Sequence, residues 1–351
     1  MPTPETYLPA LPAAGRRWLA PLAAALAAGA TAILLMRYGA AWLRRALIYL
    51  SQAAWARQAV AQMPLARRVA LRFVAGESLA EGLAVAAELD RHGMRATMDY
   101  LGESVTQPAE AEASCAEIIR LLEHLPGLAI GASVSLKLTQ LGLGISRQLA
   151  VDNLRAVLRV ARSRGIFVRI DMEESALVDT TLELYRTLRH EDGHDNLGVV
   201  IQAYLYRSEE DMRRLIEKGA AVRLCKGAYA EPAEVAFPLK ADTDANFVKL
   251  MRLLLGPEAL RNGVRAALAT HDEKMIAATI EYVAAEHISP ADFEFQMLYG
   301  IRRELQERLV RAGYRLRIYV PYGEAWYPYF VRRLAERPAN LWFFVSNLAR
   351  Q

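Results

Sequence analysis

Residues 166–205 read IFVRIDMEESALVDTTLELYRTLRHEDGHDNLGVVIQAYL, and two periodicities alternate within them. The apolar, β-prone runs 166–173 and 197–205 flank a segment, 175–191, with helical spacing. Strand, helix and strand joined this closely make a crossover unit, in which the helix returns the chain so that the two strands lie parallel. The same alternation extends in both directions. Upstream lie RATMDYLG (95–102) and AIGASVSLKLT (129–139), with helical spacing at 107–125 and 147–164. Downstream lie AAVRLCKGAY (220–229), VRAALATHD (264–272), DFEFQMLYG (292–300) and YRLRIYVPYG (314–323), with helical spacing at 208–218, 243–255, 273–286, 301–312 and 324–336. Eight such alternations predict an α/β fold, a (β/α)8 TIM barrel spanning 93–351. An open doubly wound sheet is the structural alternative. Before the barrel, residues 41–92 have a helical pattern that breaks at Pro64 and restarts after Gly76-Glu77-Ser78.

The chain of 351 residues is 53% hydrophobic, enough for one large domain with an appendage. Its net charge of +4 comes from arginines interspersed with acids, without a basic block, zinc-finger spacing or RNA-binding signature. Nucleic acid is therefore not an expected partner. Two cysteines, Cys115 and Cys225, make no C-x-x-C pattern and no disulfide framework, which fits a reducing compartment. Residues 1–40 form a hydrophobic extension. Within it LAPLAAALAAGATAILLM (19–36) is uncharged and bounded by Arg16-Arg17 and Arg37. As a helix it would be about 27 Å long, near the lower limit for spanning a bilayer. Three readings stand open: a membrane anchor, a leader cleaved near 28–30, or a helix packed on the protein's own body, with Met36 as an alternative start.

In a barrel the reactive groups lie at the C-terminal ends of the strands. Those ends carry Lys137, Asp171, Gln202, Arg223 with Lys226 and Tyr229, Thr270-His271-Asp272, Gln296 with Tyr299, and Tyr319 with Tyr322. Lys137, Arg223 and Lys226 face only Asp171 and Asp272 in this reading, so a cationic rim calling for an anionic ligand is expected. Lys226-Gly227-Ala228 gives a small-residue turn where backbone could approach phosphate. HEDGH (190–194) looks like a chelating cluster, but it precedes a strand and so falls on the opposite rim; a solvated loop without metal is expected there. The last helical segment contains PYFVRRLAERPAN (328–340). Tyr329, Arg332, Arg333 and Glu336 fall within an arc of about 100° on one helix face. Such a face is either a solvated ion-paired surface or a clamp for a carboxylate, since guanidinium groups bind carboxylates bidentately.

Taken together, RFVAGES, DYLGESV, VSLKLTQLG, RIDMEES, GVVIQAYL, VRLCKGAY, LATHD, EFQMLYG, IYVPYG and YFVRRLAERPAN, in that order over about 72–345, resemble the flavin-dependent proline dehydrogenase family in its stand-alone form. The resemblance implies a distorted barrel holding FAD, with the last helix over its mouth. It implies oxidation of L-proline to 1-pyrroline-5-carboxylate, with electrons passing to a quinone. By the family pattern Lys137, Arg332 and Arg333 hold the substrate carboxylate, while Tyr319 and Tyr329 shape the ring pocket. Asp171 and Arg223 match the catalytic positions; Met172, Gln202, Arg223, Lys226, Gly227, Ala228, Thr270 and His271 match cofactor contacts. A cytoplasmic enzyme is implied, and the N-terminal extension offers a means of holding it at the inner membrane face beside a quinone. The chain carries no aldehyde-dehydrogenase segment, so a separate 1-pyrroline-5-carboxylate dehydrogenase would complete the pathway. Ala230 stands where bifunctional relatives usually have tryptophan. A folate-dependent flavin barrel and a hydroxyproline oxidase are the rival enzymes, and a catalytically dead membrane-bound scaffold is the non-enzyme alternative. The paired arginines argue against folate, and the bulk of Tyr319 against a ring hydroxyl.

Overall fold

The computed structural model describes residues 71–127 and 131–336, with side chains up to Val331. Residues 19–36 and the helical pattern up to residue 70 lie outside them, as do the side chains of Arg332, Arg333 and Glu336. Eight parallel strands close into a barrel in sequence order: β1 (Arg95–Tyr100), β2 (Ser133–Leu136), β3 (Phe167–Ile170), β4 (Leu197–Gln202), β5 (Ala221–Cys225), β6 (Arg265–Ala269), β7 (Phe293–Leu298) and β8 (Leu316–Tyr322). The seam is a full parallel pairing of β8 on β1, from Arg95 opposite Arg317 to Tyr100 opposite Tyr322. Strands buried on both faces need apolar residues on the outer one, and Val134, Leu136, Val168, Ile170, Val199, Val222, Leu224, Ile318 and Val320 supply them, all without solvent exposure.

Each strand is followed by helix, as the periodicity predicted. The helix preceding the barrel, α1 (Leu79–Arg91), starts at a capping box in which Ser78 and Glu81 satisfy each other's backbone N–H groups. It packs against β1 and β8, with Gly82 close to Met98 and Tyr322. This is the position that the helix after β8 fills in a regular barrel. The ring continues with α2 (Pro108–His124), α3 (Arg147–Ser163) and α4 (Val178–Arg186). The predicted helix at 175–191 is three pieces, a 3-10 turn (Ser175–Leu177), α4, and a π turn (Thr187–Glu191). Next come α5 (Ser208–Glu217), α6 (Lys240–Leu254), α7 (Pro257–Arg261), α8 (Glu273–Ala285), α9 (Arg303–Arg311) and α10 (Trp326–Glu336). The short α7 was not foreseen, because five residues are too few for a periodicity; only Pro257 at its first turn marks it. The start of α10 packs through Phe330 on Phe73 and through a hydrogen bond from Trp326 Nε1 to Glu77 (3.0 Å). Among the described residues no helix is long and apolar enough to cross a membrane.

The barrel interior departs from the branched aliphatic layers usual for this architecture. Arg223 on β5 bonds to Ser135 on β2, Asp171 after β3 and Gln296 on β7. Groups on non-adjacent strands meet this way only across the axis. Below them lies a second polar tier in which Arg317 reaches Glu294, Ser133 and two backbone carbonyls.

Candidate active site

Asp171, directly after β3, is the centre of the upper tier. Its Oδ1 accepts from Arg223 Nη1 (2.7 Å) and its Oδ2 from the Tyr319 hydroxyl (2.7 Å), and Lys137 Nζ lies 3.9 Å from Oδ2. Arg223 is further fixed by Gln296 Oε1 (2.5 Å) and Ser135 Oγ (3.1 Å), and its guanidinium carbon sits 5.4 Å from the Tyr319 ring centroid. Three partners and a ring face hold the guanidinium, so it meets a ligand in one orientation. Four of the residues singled out in the sequence, Lys137, Asp171, Arg223 and Tyr319, are thus one network.

Lys137 is ringed by acids: Asp99 Oδ1 at 3.6 Å, Asp171 at 3.9 Å and Glu103 at 4.0 Å. Burial works against its charge, but these carboxylates outweigh it and hold the ammonium well above its usual pKa. Asp99, on β1, has no solvent exposure, and neither carboxylate oxygen accepts a hydrogen bond among the described residues. The one proton of Tyr319 goes to Asp171. Burial pushes the Asp99 carboxyl up to about 6 against the pull of Lys137. Glu173 is buried under Thr139, whose backbone N–H (3.1 Å) and hydroxyl both donate to it, and burial lifts it to about 7.

These acids correct the expected charge balance. Lys226 is held by Asp244 and by Asp272 (2.7 Å), and Lys240 bonds to the same two carboxylates. Burial opposes ionisation of Asp272, but the two lysines and the Lys274 N–H keep its carboxyl well below the usual range. The described rim is therefore rich in paired carboxylates, not in free cations. A further correction concerns a single residue. Tyr322 alternates away from Tyr319 and is fully buried on the outer face, beside Tyr100 and Gly82, so it is no part of the site. Gly227 (φ +109°) must be glycine, because a Cβ there would lie 2.2 Å from the Tyr204 ring.

The remaining cofactor candidates line the rim from β3 to β6. Gln202 donates from Nε2 to the carbonyls of Met172 (3.4 Å) and Glu173 (3.1 Å), which fixes which end of the amide is oxygen. Its Oε1 is then a buried acceptor without a partner among the described residues. A bound group with an N–H donor, such as the edge of a flavin ring, fits that orphan atom. Thr270 is buried and accepts from the Asp272 N–H (3.1 Å). His271 Nε2 accepts from the Leu298 N–H (3.0 Å), so a neutral ring carries its proton on Nδ1. Ala228 is exposed and Tyr329 is buried near the start of α10. Arg332, Arg333 and Glu336, the helix face expected to grip a carboxylate, fall outside the described side chains.

The family model for proline dehydrogenase matches residues 83–345. The chain belongs to the proline dehydrogenase family. It is 44% identical over 282 residues to Proline dehydrogenase 1 of Bacillus subtilis (strain 168), covering 80% of this chain and 91% of that protein. It is 41% identical over 285 residues to Proline dehydrogenase of Deinococcus radiodurans, covering 80% and 90%. Among solved structures, proline utilization A from Bdellovibrio bacteriovorus inactivated by N-propargylglycine superposes with a TM-score of 0.71 at 31% identity, covering 77% of this chain and 33% of that one. Within this proline dehydrogenase fold the sequence reading missed Asp99, Glu103, Ser135 and Glu173. Asp99 was legible: the rule that found the other strand ends applies equally to RATMDYLG, where it is the last interior residue of β1. Ser135 carried no such signal, since a lone serine in a strand is ordinary.

Proposed function

We propose that this chain oxidises L-proline to 1-pyrroline-5-carboxylate with FAD as cofactor. The observation that carries the reading is the Asp171 carboxylate, held by Arg223 and Tyr319 beside Lys137 and the unbonded, buried Asp99. Proline brings both a carboxylate and a ring nitrogen that turns cationic as it is oxidised. Asp99, Glu103 and Asp171 favour positive charge at that nitrogen, through the low dielectric of a buried site. Lys137, with Arg332 and Arg333, is proposed to grip the substrate carboxylate, converting binding energy into orientation of the reacting carbon. Tyr319 and Tyr329 are proposed to bound the ring, Tyr319 being held in place by Asp171.

Met172, Gln202, Arg223, Lys226, Gly227, Ala228, Thr270 and His271 would hold the cofactor, and the orphaned Gln202 Oε1 is the structural sign in its favour. The flavin, when bound, supplies the acceptor for the hydride that leaves with both C–H electrons. The nitrogen lone pair then becomes the second bond of the imine and the N–H proton is released, so the neutral amine is the reacting form. A quinone is the proposed final acceptor and a separate 1-pyrroline-5-carboxylate dehydrogenase the consumer of the product. The enzyme is proposed to be cytoplasmic, with residues 1–40 holding it at the inner membrane face. The test is product identity. Flavin-loaded protein given L-proline and an artificial two-electron acceptor should form a cyclic imine that condenses with o-aminobenzaldehyde; acceptor reduction without that adduct would refute the assignment.

A further inference from the structure

At the end of the barrel opposite Asp171, the first residues of several strands line a cavity of about 240 Å³. That is below the roughly 300–1,000 Å³ of pockets for drug-sized molecules, and on the scale of a small ion with its water. Five arginines line it: Arg95, Arg169, Arg265, Arg315 and Arg317. Two carboxylates, Asp292 and Glu294, oppose them, leaving a formal surplus of three positive charges. Glu294 is already engaged by Arg317 Nε (2.7 Å) and by Gln296 Nε2 (2.5 Å).

The cations crowd one another. Arg95 and Arg317 are direct partners across the β1–β8 seam, an arrangement of like charges that destabilises a sheet. Arg169 and Arg265 share one aromatic ring, their guanidinium carbons 5.0 Å and 4.7 Å from the Phe167 centroid. Arg169 is buried, donates from Nη1 to the carbonyls of Val199 (2.9 Å) and Ala221 (3.1 Å), and has no carboxylate within salt-bridge distance among the described residues. Burial, with Arg223 and Arg317 nearby, pushes its guanidinium well below the usual pKa. Arg169 and Arg317 are buried, Arg95 is half-buried and Arg265 and Arg315 are exposed, so the surplus of positive charge around this opening favours an anion.

We infer that this cavity is a binding site for a small multiply charged oxyanion, a phosphate or a compact polycarboxylate, contacted by Arg95, Arg169 and Arg265. The site is wired to the catalytic rim. From Arg317 the bonds run through Glu294 and Gln296 to Arg223, and from Arg223 Nη1 to Asp171. Arg317 lines the same cavity, so an anion there draws on it and loosens its hold on Glu294, and the change is passed along the chain to the guanidinium beside Asp171.

The test is isothermal titration calorimetry of the flavin-loaded protein with inorganic phosphate, with citrate and with chloride as the monovalent control. One saturable site that prefers phosphate or citrate over chloride is expected, and whichever of the two binds more tightly identifies the ligand source. Arg95→Gln is the informative variant, because Arg95 makes no hydrogen bond or ion pair among the described residues and its loss spares the fold. Adding Arg265→Gln should weaken binding by roughly tenfold or more, with flavin content unchanged. Absence of saturable binding, or equal binding by the double variant, would overturn the site. Binding that leaves the proline KM of the wild-type protein unmoved would overturn the coupling to the rim.

Discussion

Asp171→Asn isolates the charge at the centre of the site while nearly preserving its shape. Asparagine can still accept from Arg223, but it cannot also accept from the Tyr319 hydroxyl in the same orientation, since its second atom is a donor. Arg223 would keep Gln296 and Ser135 but lose its counter-ion while remaining buried, 6% exposed. Breaking a buried pair from one side costs about 3–5 kcal/mol, and a lost neutral hydrogen bond about 1 kcal/mol. Lys137 retains Asp99 and Glu103, which limits the damage on its side. A net loss of about 3 kcal/mol is therefore expected in urea denaturation, at unchanged m-value. In a cycle with Arg223→Gln the double variant should recover part of that loss, with a coupling energy of about 2 kcal/mol. Additivity of the two single substitutions to within about 0.5 kcal/mol would refute the view that they form one electrostatic unit.

Three other perturbations test single residues. The folded-state pKa of Asp99, about 6, lies above its ordinary value of 3.8, so its neutral form contributes stability that is complete at low pH and lost as pH rises through 6. Asp99→Asn should therefore gain about 2–3 kcal/mol relative to wild type between pH 4 and 7, read by urea midpoints across that range; a pH-independent difference would show that Asp99 stays ionised. Gln202→Leu should lower bound flavin, measured by the absorbance ratio of purified protein, by roughly tenfold in affinity if Oε1 accepts from the ring, and a full complement of flavin would contradict that role. Arg332→Lys should raise the proline KM by roughly ten- to a hundredfold at constant flavin content, because an ammonium cannot replace a bidentate fork; loss of flavin instead would mark Arg332 as structural.

How far the sequence disclosed this architecture can be read from particular residues. All eight strands and every helix between them except the short α7 were marked by alternating periodicity, because parallel strands buried on both faces need uninterrupted apolar runs. The ends were less legible: among the described residues of the run at 129–139 only Ser133–Leu136 is strand, since periodicity does not say where pairing stops. Lys137, Asp171, Arg223 and Tyr319 were found because polar side chains at strand ends have little structural reason to be there. The charge balance was not legible, for a physical reason. Asp244 lies within α6 and Glu103 in the loop after β1, and only the tertiary fold brings them to Lys226 and Lys137. Tyr322 was misassigned because β8 carries tyrosines on both faces, and alternation alone does not say which face is inside.

The central claim is that this rim binds proline so that its ring carbon gives up a hydride to bound flavin. The most direct measurement is the visible absorbance of flavin-loaded protein mixed anaerobically with L-proline. Bleaching of the oxidised flavin band is expected, saturable in L-proline, absent with D-proline and greatly slowed in Asp171→Asn. Protein that binds flavin and stays yellow at saturating L-proline would contradict the account.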